Sequence, residues 1–304
     1  MANPSTRHAM RHKAEQLAAR LPPLLVAAER VASTVAQGVH GRRRVGQGDS
    51  FWQFRRYEST DAATMIDWRQ SAKTQSLYVR ETEWEAAQTV WLWRDASPSM
   101  RYRSARSLPE KAERVDLLLL ALASLLVRGG EHMALLGEDM RPASGRAALE
   151  KIAAAVTRFE TPAPGNDRRA GSLPPFQLLP RHAQLVLLGD FLSPIEEFES
   201  LVRRFAARGV RGHVLQVLDP AEETLPFGGR TRFEGFESEG EVLIRRVEHA
   251  RGDYLSKLAA HQDALATVVR RIGWQFDRHR TDRSPESALL ALYMGLSGMR
   301  GGRR

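Results

Sequence analysis

The sequence predicts an α/β fold: a doubly wound, mostly parallel sheet, preceded by an N-terminal helical segment and a small β-rich attachment. Three observations predict it. From Thr89 onward, short apolar runs alternate with longer stretches of helical periodicity, the pattern of strand–helix–strand units. The runs Thr89 to Arg94 and Ala183 to Gly189 are almost continuously apolar, as in strands covered on both faces. Both stop abruptly at an acid, Asp95 and Asp190, and open α/β sheets gather their ligands at the carboxyl ends of their strands.

Four segments follow from composition: a helical segment over 1–37, a β-rich aromatic and charged module over 38–88, the α/β domain over 89–299, and a basic tail over 300–304. Leu17, Leu21, Leu24, Leu25 and Val31 fall on one helical face, which Pro22-Pro23 interrupts. Ser107 and Glu110 have the spacing of a capping box, with Pro109 in the first turn of a helix that Gly129-Gly130 stops. A short strand at 132–136 and a helix from Ala147 to Val156 come next, then a Pro/Gly-rich loop over 161–175. Beyond Asp190 the pattern gives a helix from Ile195 to Ala207, a strand from Val210 to Leu218, and a hairpin-like extension over 221–247. A helix from Tyr254 to Ile272, an edge strand at 274–276 and a closing helix over 284–299 complete the chain.

Composition narrows the function classes. The chain has no cysteine, which removes disulfides and thiolate metal sites and fits a reducing compartment. The N-terminal 30 residues lack the continuous apolar core of a signal peptide. The most apolar run, Leu117 to Val127, is about half a membrane span. A cytoplasmic protein without a membrane span is expected. The net charge of +9 comes almost wholly from arginine, since only five of the 45 basic residues are lysines. Arg42-Arg43-Arg44 and the tail Arg300 to Arg304 are the only clusters, and neither carries interleaved aromatics. Basic composition of this kind supports non-specific attraction to nucleic acid and no more.

The chemistry concentrates at Asp95-Ala96-Ser97-Pro98-Ser99. One carboxylate and two hydroxyls at alternate positions form a hard oxygen set suited to Mg²⁺, with Mn²⁺ or Ca²⁺ as alternatives. Asp190 arrives at the same sheet edge. The bland alternative is a capped turn, because Asp and Ser favour turns in any case. An enzyme is the rival class, either a Mg²⁺-dependent hydrolase or a phosphatase. An aspartyl phosphatase wants an acid where Ser97 stands, and neither serine has the glycines of Gly-x-Ser-x-Gly. Upstream, Gly46 and Gly48 lack the remaining spacing of a phosphate loop. Arg55, Tyr57, Asp61, Asp67, Trp68 and Arg69 crowd aromatics and paired charges into the small module. They serve either as a recognition surface or as a lock holding that module in place.

The order Trp52-x-x-Arg55-x-Tyr57, Asp61, Ile66-Asp67-Trp68, Ser71-Ala72-Lys73, Leu77 to Glu81, Glu85 and Asp95-Ala96-Ser97-Pro98-Ser99-Met100 resembles the bacterial family of domain of unknown function 58. The resemblance spans residues 38–295 in layout and is sharpest over 46–100. The family's Gly-Asp-Asp stands here as Thr60-Asp61-Ala62. The resemblance implies a von Willebrand factor A-like domain whose Asp-x-Ser-x-Ser loop forms a metal-ion-dependent adhesion site. It further implies a non-enzymatic module that captures a carboxylate of a partner protein, a MoxR-type AAA+ ATPase or its client. Such a site takes a Thr from a second loop; in the matching stretch, 141–146, Ser144 is the only hydroxyl. Asp190 matches the acid of the third loop.

Overall fold

The computed structural model describes residues 23–39, 51–57, 66, 68–73, 76–82, 89–158, 171–235 and 240–298. The chain divides into two compact units, residues 39–87 and the remainder. In chain order the elements begin with α1 (Pro23–Val39), β1 (Phe51–Arg56), α2 (Trp68–Ser71) and β2 (Tyr78–Thr82). There follow β3 (Thr89–Arg94), α3 (Lys111–Arg128), β4 (His132–Leu135), α4 (Gly145–Arg158), β5 (Gln184–Gly189) and α5 (Ile195–Ala206). The last are β6 (Arg211–Leu218), α6 (Pro220–Thr224), β7 (Thr231–Glu234), β8 (Glu241–Ile244), α7 (Val247–Arg271), β9 (Gln275–Arg280) and α8 (Pro285–Gly298).

The larger unit is built on a five-stranded sheet of order β4-β3-β5-β6-β9 in which every pairing is parallel. Read by rank in the chain, this is the doubly wound order 2-1-3-4-5. The apolar runs end where expected because the central strands are buried on both faces: β5 is buried at all six positions and β6 at seven of eight. Alternate residues feed opposite layers. Trp91, Trp93, Leu185, Leu187 and Val214 join a core with Phe198, Val202 and Phe205 of α5 and Leu265 and Val269 of α7. Leucines of α3 and α8, such as Leu118, Leu122, Leu289 and Leu292, are also fully buried. The α/β class with a mostly parallel sheet therefore stands.

The boundaries move in physically telling ways. α3 begins after Glu110, not Ser107: Glu110 and Glu113 form the reciprocal capping box. β9 runs six residues instead of three, because a polar edge strand carries no apolar run to betray it. Pro220 opens the short α6 before the hairpin β7–β8. Among the described residues no helix is long and apolar enough to cross a membrane.

In the smaller unit β1 and β2 pair antiparallel with an irregularity at Phe51/Gln53. The Tyr78 amide donates to Ser71 Oγ at 2.9 Å, which ties α2 to β2. Trp68 and Arg69 are exposed and Tyr57 is half-buried. The strand places Arg55 in β1, while Asp61, Asp67, the glycines 46 and 48, Arg42 to Arg44 and the basic tail lie outside the described residues.

Candidate functional site

Three neighbouring strands of the sheet each deliver an aspartate just past their carboxyl ends. Asp95 follows β3, Asp190 follows β5 and Asp219 follows β6, and all three are buried. In a 2-1-3-4-5 sheet the chain reverses direction between the first and third strands, which leaves a crevice there. Here those strands are β3 and β5. The crevice therefore falls between Asp95 and Asp190, the two acids that the sequence singled out.

The loop after β3 is held by its own side chains. Asp95 Oδ1 accepts the Ser97 amide at 2.8 Å, and the Asp95 amide donates to the Leu188 carbonyl at 2.7 Å, extending the β3–β5 ladder by one bond. Pro98 then starts a single 3₁₀ turn to Arg101, whose Met100 is fully buried as its anchor. Ser97 Oγ and Ser99 Oγ lie 3.0 Å apart, and Ser99 Oγ donates to Asp190 Oδ2 at 2.8 Å. A hydroxyl has one proton, and that of Ser99 goes to the carboxylate. Ser97 is therefore the donor to Ser99, and the lone pairs of Ser97 stay available to a ligand.

Asp190 is fixed from behind. Its carbonyl accepts Gln216 Nε2 at 2.8 Å. Phe191 adopts a positive φ of 48°, a conformation that costs a non-glycine residue roughly 1–2 kcal/mol. The strain is held by packing: the Phe191 ring lies edge-on to Phe198 at 5.4 Å and against Trp93 at 6.1 Å, and its carbonyl meets His261 Nε2 at 2.7 Å. Gly189 is required by close approach, since a Cβ there would stand 2.8 Å from Asp95 Cβ.

Sequence reasoning missed the cation of this site. Lys111, the first residue of α3, is fully buried, and its Nζ lies 2.9 Å from Asp190 Oδ2 and 2.6 Å from Glu222 Oε1. Burial alone lowers a lysine's pKa, but Asp190 and Glu222 outweigh it and raise that of Lys111, so the ammonium is retained. Burial raises the pKa of Glu222, with Lys111 pulling it back. Glu222 Oε2 accepts the Asp219 amide at 2.8 Å, and Asp219 in turn accepts the amides of Ala221 and Ser104. Tyr254 donates to the Glu222 carbonyl at 2.6 Å; its phenol is pushed up to about 12, by burial first and then by Glu222. The available signals were faint: a rare lysine in an arginine-rich chain, and Asp219-Pro220-Ala221-Glu222 at cap spacing.

Ser144 is not brought to this cluster. Ala143 forms an antiparallel bridge with Met133, so the chain after the β4 turn runs back toward the amino end of the sheet. Met133 pairs with Val90, which places exposed Ser144 near the level of Thr89, six residues before Asp95. At about 3.3 Å per residue the separation is roughly 20 Å along the strands. Ser144 is thus corrected from a weak ligand to a surface residue before α4.

Do the remaining residues suit a divalent cation? Their donors are all oxygen, and the O···O spacings of 3.0 and 2.8 Å match the edge of an octahedron with metal–oxygen distances of about 2.1 Å. When ionised, Asp95, Asp190, Asp219 and Glu222 outnumber the single ammonium of Lys111, and this excess favours a further cation. Among the described residues no three His, Cys, Asp or Glu side chains converge as a metal cluster, so hydroxyls and water must carry much of the ligation. Mg²⁺ accepts such a set because it keeps several waters. The fit is one of donor type, with Asp95, Ser97, Ser99 and Asp190 as the holders.

A family model described as protein of unknown function DUF58 matches residues 53–264. The uncharacterized proteins Rv1480 of Mycobacterium tuberculosis and Mb1516 of Mycobacterium bovis are each 27% identical over 280 residues, covering 88% of this chain and 86% of theirs. Two solved structures are similar at 16% identity over 70% of this chain. They are BatB from Bacteroides thetaiotaomicron, with a TM-score of 0.37 and 98% of that chain covered, and an aerotolerance-related membrane protein from Bacteroides fragilis, with 0.38 and 100%.

Proposed function

This chain belongs to the DUF58 family of proteins of unknown function, and we propose that it acts as a non-enzymatic, cation-dependent protein-interaction module of von Willebrand factor A-like type. The observation that carries the reading is the line of oxygens at the switch-point crevice: Ser97 Oγ, Ser99 Oγ and Asp190 Oδ2, spaced 3.0 and 2.8 Å, beside buried Asp95. A divalent cation held there supplies an open coordination position for a carboxylate of a partner protein. The chain's own part is to aim and hold the donors. Asp95 sets the loop through the Ser97 amide, the Ser97 hydroxyl donates a hydrogen bond to Ser99 Oγ, and Phe191 and Gln216 fix Asp190. The partner class follows from the family resemblance, a MoxR-type AAA+ ATPase or its client, with this chain as adaptor.

A hydrolase finds less support. Among the described residues no histidine is a hydrogen-bond partner of Ser97 or Ser99, and the carboxylate facing Ser99 is itself engaged by Lys111. The test is capture of a purified MoxR-type ATPase from the same genome by the immobilised chain. Capture in Mg²⁺, lost with chelator and lost in a folded Asp95→Ala variant, is the expected result. Equal capture with and without chelator would contradict the mechanism.

A further inference from the structure

We infer that Lys111 is a tethered counter-cation that holds Asp190 where a divalent ion would draw on it, and so sets how tightly the crevice takes such an ion. The inference rests on the cation-site reading and adds the residue that controls it.

The argument is one of acceptor capacity. A carboxylate oxygen offers about two acceptor directions. Asp190 Oδ2 already takes Ser99 Oγ at 2.8 Å and Lys111 Nζ at 2.9 Å. Among the described residues its other oxygen takes a long contact from the Leu192 amide, at 3.4 Å, and no other. A cation drawing on Oδ2 must therefore turn the Ser99 hydroxyl away or displace the ammonium, and in either case, as on Oδ1, it meets the Lys111 charge beside Asp190.

Lys111 is equipped to do this and little else. It is completely buried, so it has no role toward solvent. Its compact ammonium sits between two acids that come from different strands' ends, Asp190 after β5 and Glu222 in α6. Glu222 is anchored by its second oxygen to the Asp219 amide, so the lysine keeps a resting partner when Asp190 is taken. The choice of lysine is itself informative. Arginine supplies 40 of the 45 basic residues (45 less five lysines), yet a planar fork would not fit a point position between two carboxylates. With Ser144 far from the crevice, the site lacks a second-loop hydroxyl and carries a built-in positive charge instead.

The test uses the full chain stripped with chelator, unmodified and as Lys111→Met. Mn²⁺ binding is followed by calorimetry and by the spin resonance of free Mn²⁺, and thermal unfolding is followed in chelator and in Mn²⁺. The expected result is one Mn²⁺ bound roughly ten- to hundredfold more tightly by Lys111→Met, the scale on which a neighbouring unit charge shifts a carboxylate's affinity. Added Mn²⁺ also restores the melting temperature that the substitution lowers, and Asp95→Ala in the same background abolishes both effects. If Lys111→Met is too unstable to purify, Lys111→Met with Glu222→Gln removes the stranded charge and gives the same comparison. Equal or weaker Mn²⁺ binding by the variant, with the unmodified chain binding, overturns the role of Lys111 and leaves the cation site standing. Absence of binding in both overturns the cation site and this inference with it.

Discussion

At the scale of single residues, Gly189 and His279 show how tightly the sheet's ends are set. A Cβ at 189 would stand 2.8 Å from Asp95 Cβ and 3.2 Å from its Oδ2. Gly189→Ala therefore pushes Asp95 or its strand aside, at a cost of about 1–3 kcal/mol, the usual price of overpacking. A urea melt checks the size of the loss, and a Mn²⁺ titration checks that the crevice suffers with it. His279, buried at the end of β9 beside Arg114, is lowered from 6.5 to about 4 by burial first and Arg114 second, with Asp282 opposing. Its folded pKa lies below its unfolded one, so the unfolded chain takes up the proton first as the medium turns acid. The stability it confers is complete above pH 6.5 and is lost as pH falls from 6.5 toward 4, by up to roughly 3 kcal/mol. His279→Gln should flatten the pH dependence of the urea midpoint in that window. An unchanged slope would mean that the histidine is charged in the fold.

At the scale of elements, α3 is the hub, and its importance was hidden in its first two turns. Lys-Ala-Glu-Arg-Val-Asp carries four charged residues, yet three of them, Lys111, Arg114 and Asp116, are buried. Each reaches a distant partner. Lys111 meets Asp190 and Glu222, 79 and 111 residues on. Asp116 pairs with Arg94 of β3 at 3.0 Å. Arg114 donates to the carbonyls of Thr281 and Arg283 and lies 3.3 Å from His279, clasping the end of the edge strand β9. No local pattern announces such pairings, because the sequence records periodicity and spacing, whereas these contacts are made only once the sheet has assembled. Replacing Arg114 with Leu strands two carbonyls and should cost about 2–4 kcal/mol. Hydrogen exchange should speed up along β9 and the 281–283 turn while β3 and β5 stay protected. Uniform acceleration across the sheet would contradict the clasp.

At the scale of the whole molecule, what could be read from sequence and what could not divide along burial. β3, β5 and β6 are central strands, so their apolar runs and terminal acids were legible, and the order of these strands in the sheet puts the switch point between the strands that end at Asp95 and Asp190. β9 is an edge strand written in polar and charged residues, and only its first two positions were read. The Asp95, Ser97, Ser99 and Asp190 constellation was legible because it is a local motif plus one strand end. Lys111 and Glu222 were not, nor was the use of Asp219 beyond ending its strand, since these roles depend on which strands become neighbours. Ser144 was misplaced for the same reason: only the antiparallel bridge of Ala143 to Met133 reveals that its loop turns back down the sheet.

The proposed function requires that the crevice between β3 and β5 take a divalent cation on oxygens of Ser97, Ser99 and Asp190. The most direct measurement is an anomalous difference map from crystals of the chain equilibrated in saturating MnCl₂, recorded beside crystals kept in chelator. A single peak bounded by Ser97, Ser99 and Asp190, with the Lys111 ammonium drawn toward Glu222, is the predicted result. A featureless crevice in saturating Mn²⁺, with Lys111 still seated on Asp190 as in chelator, would contradict it.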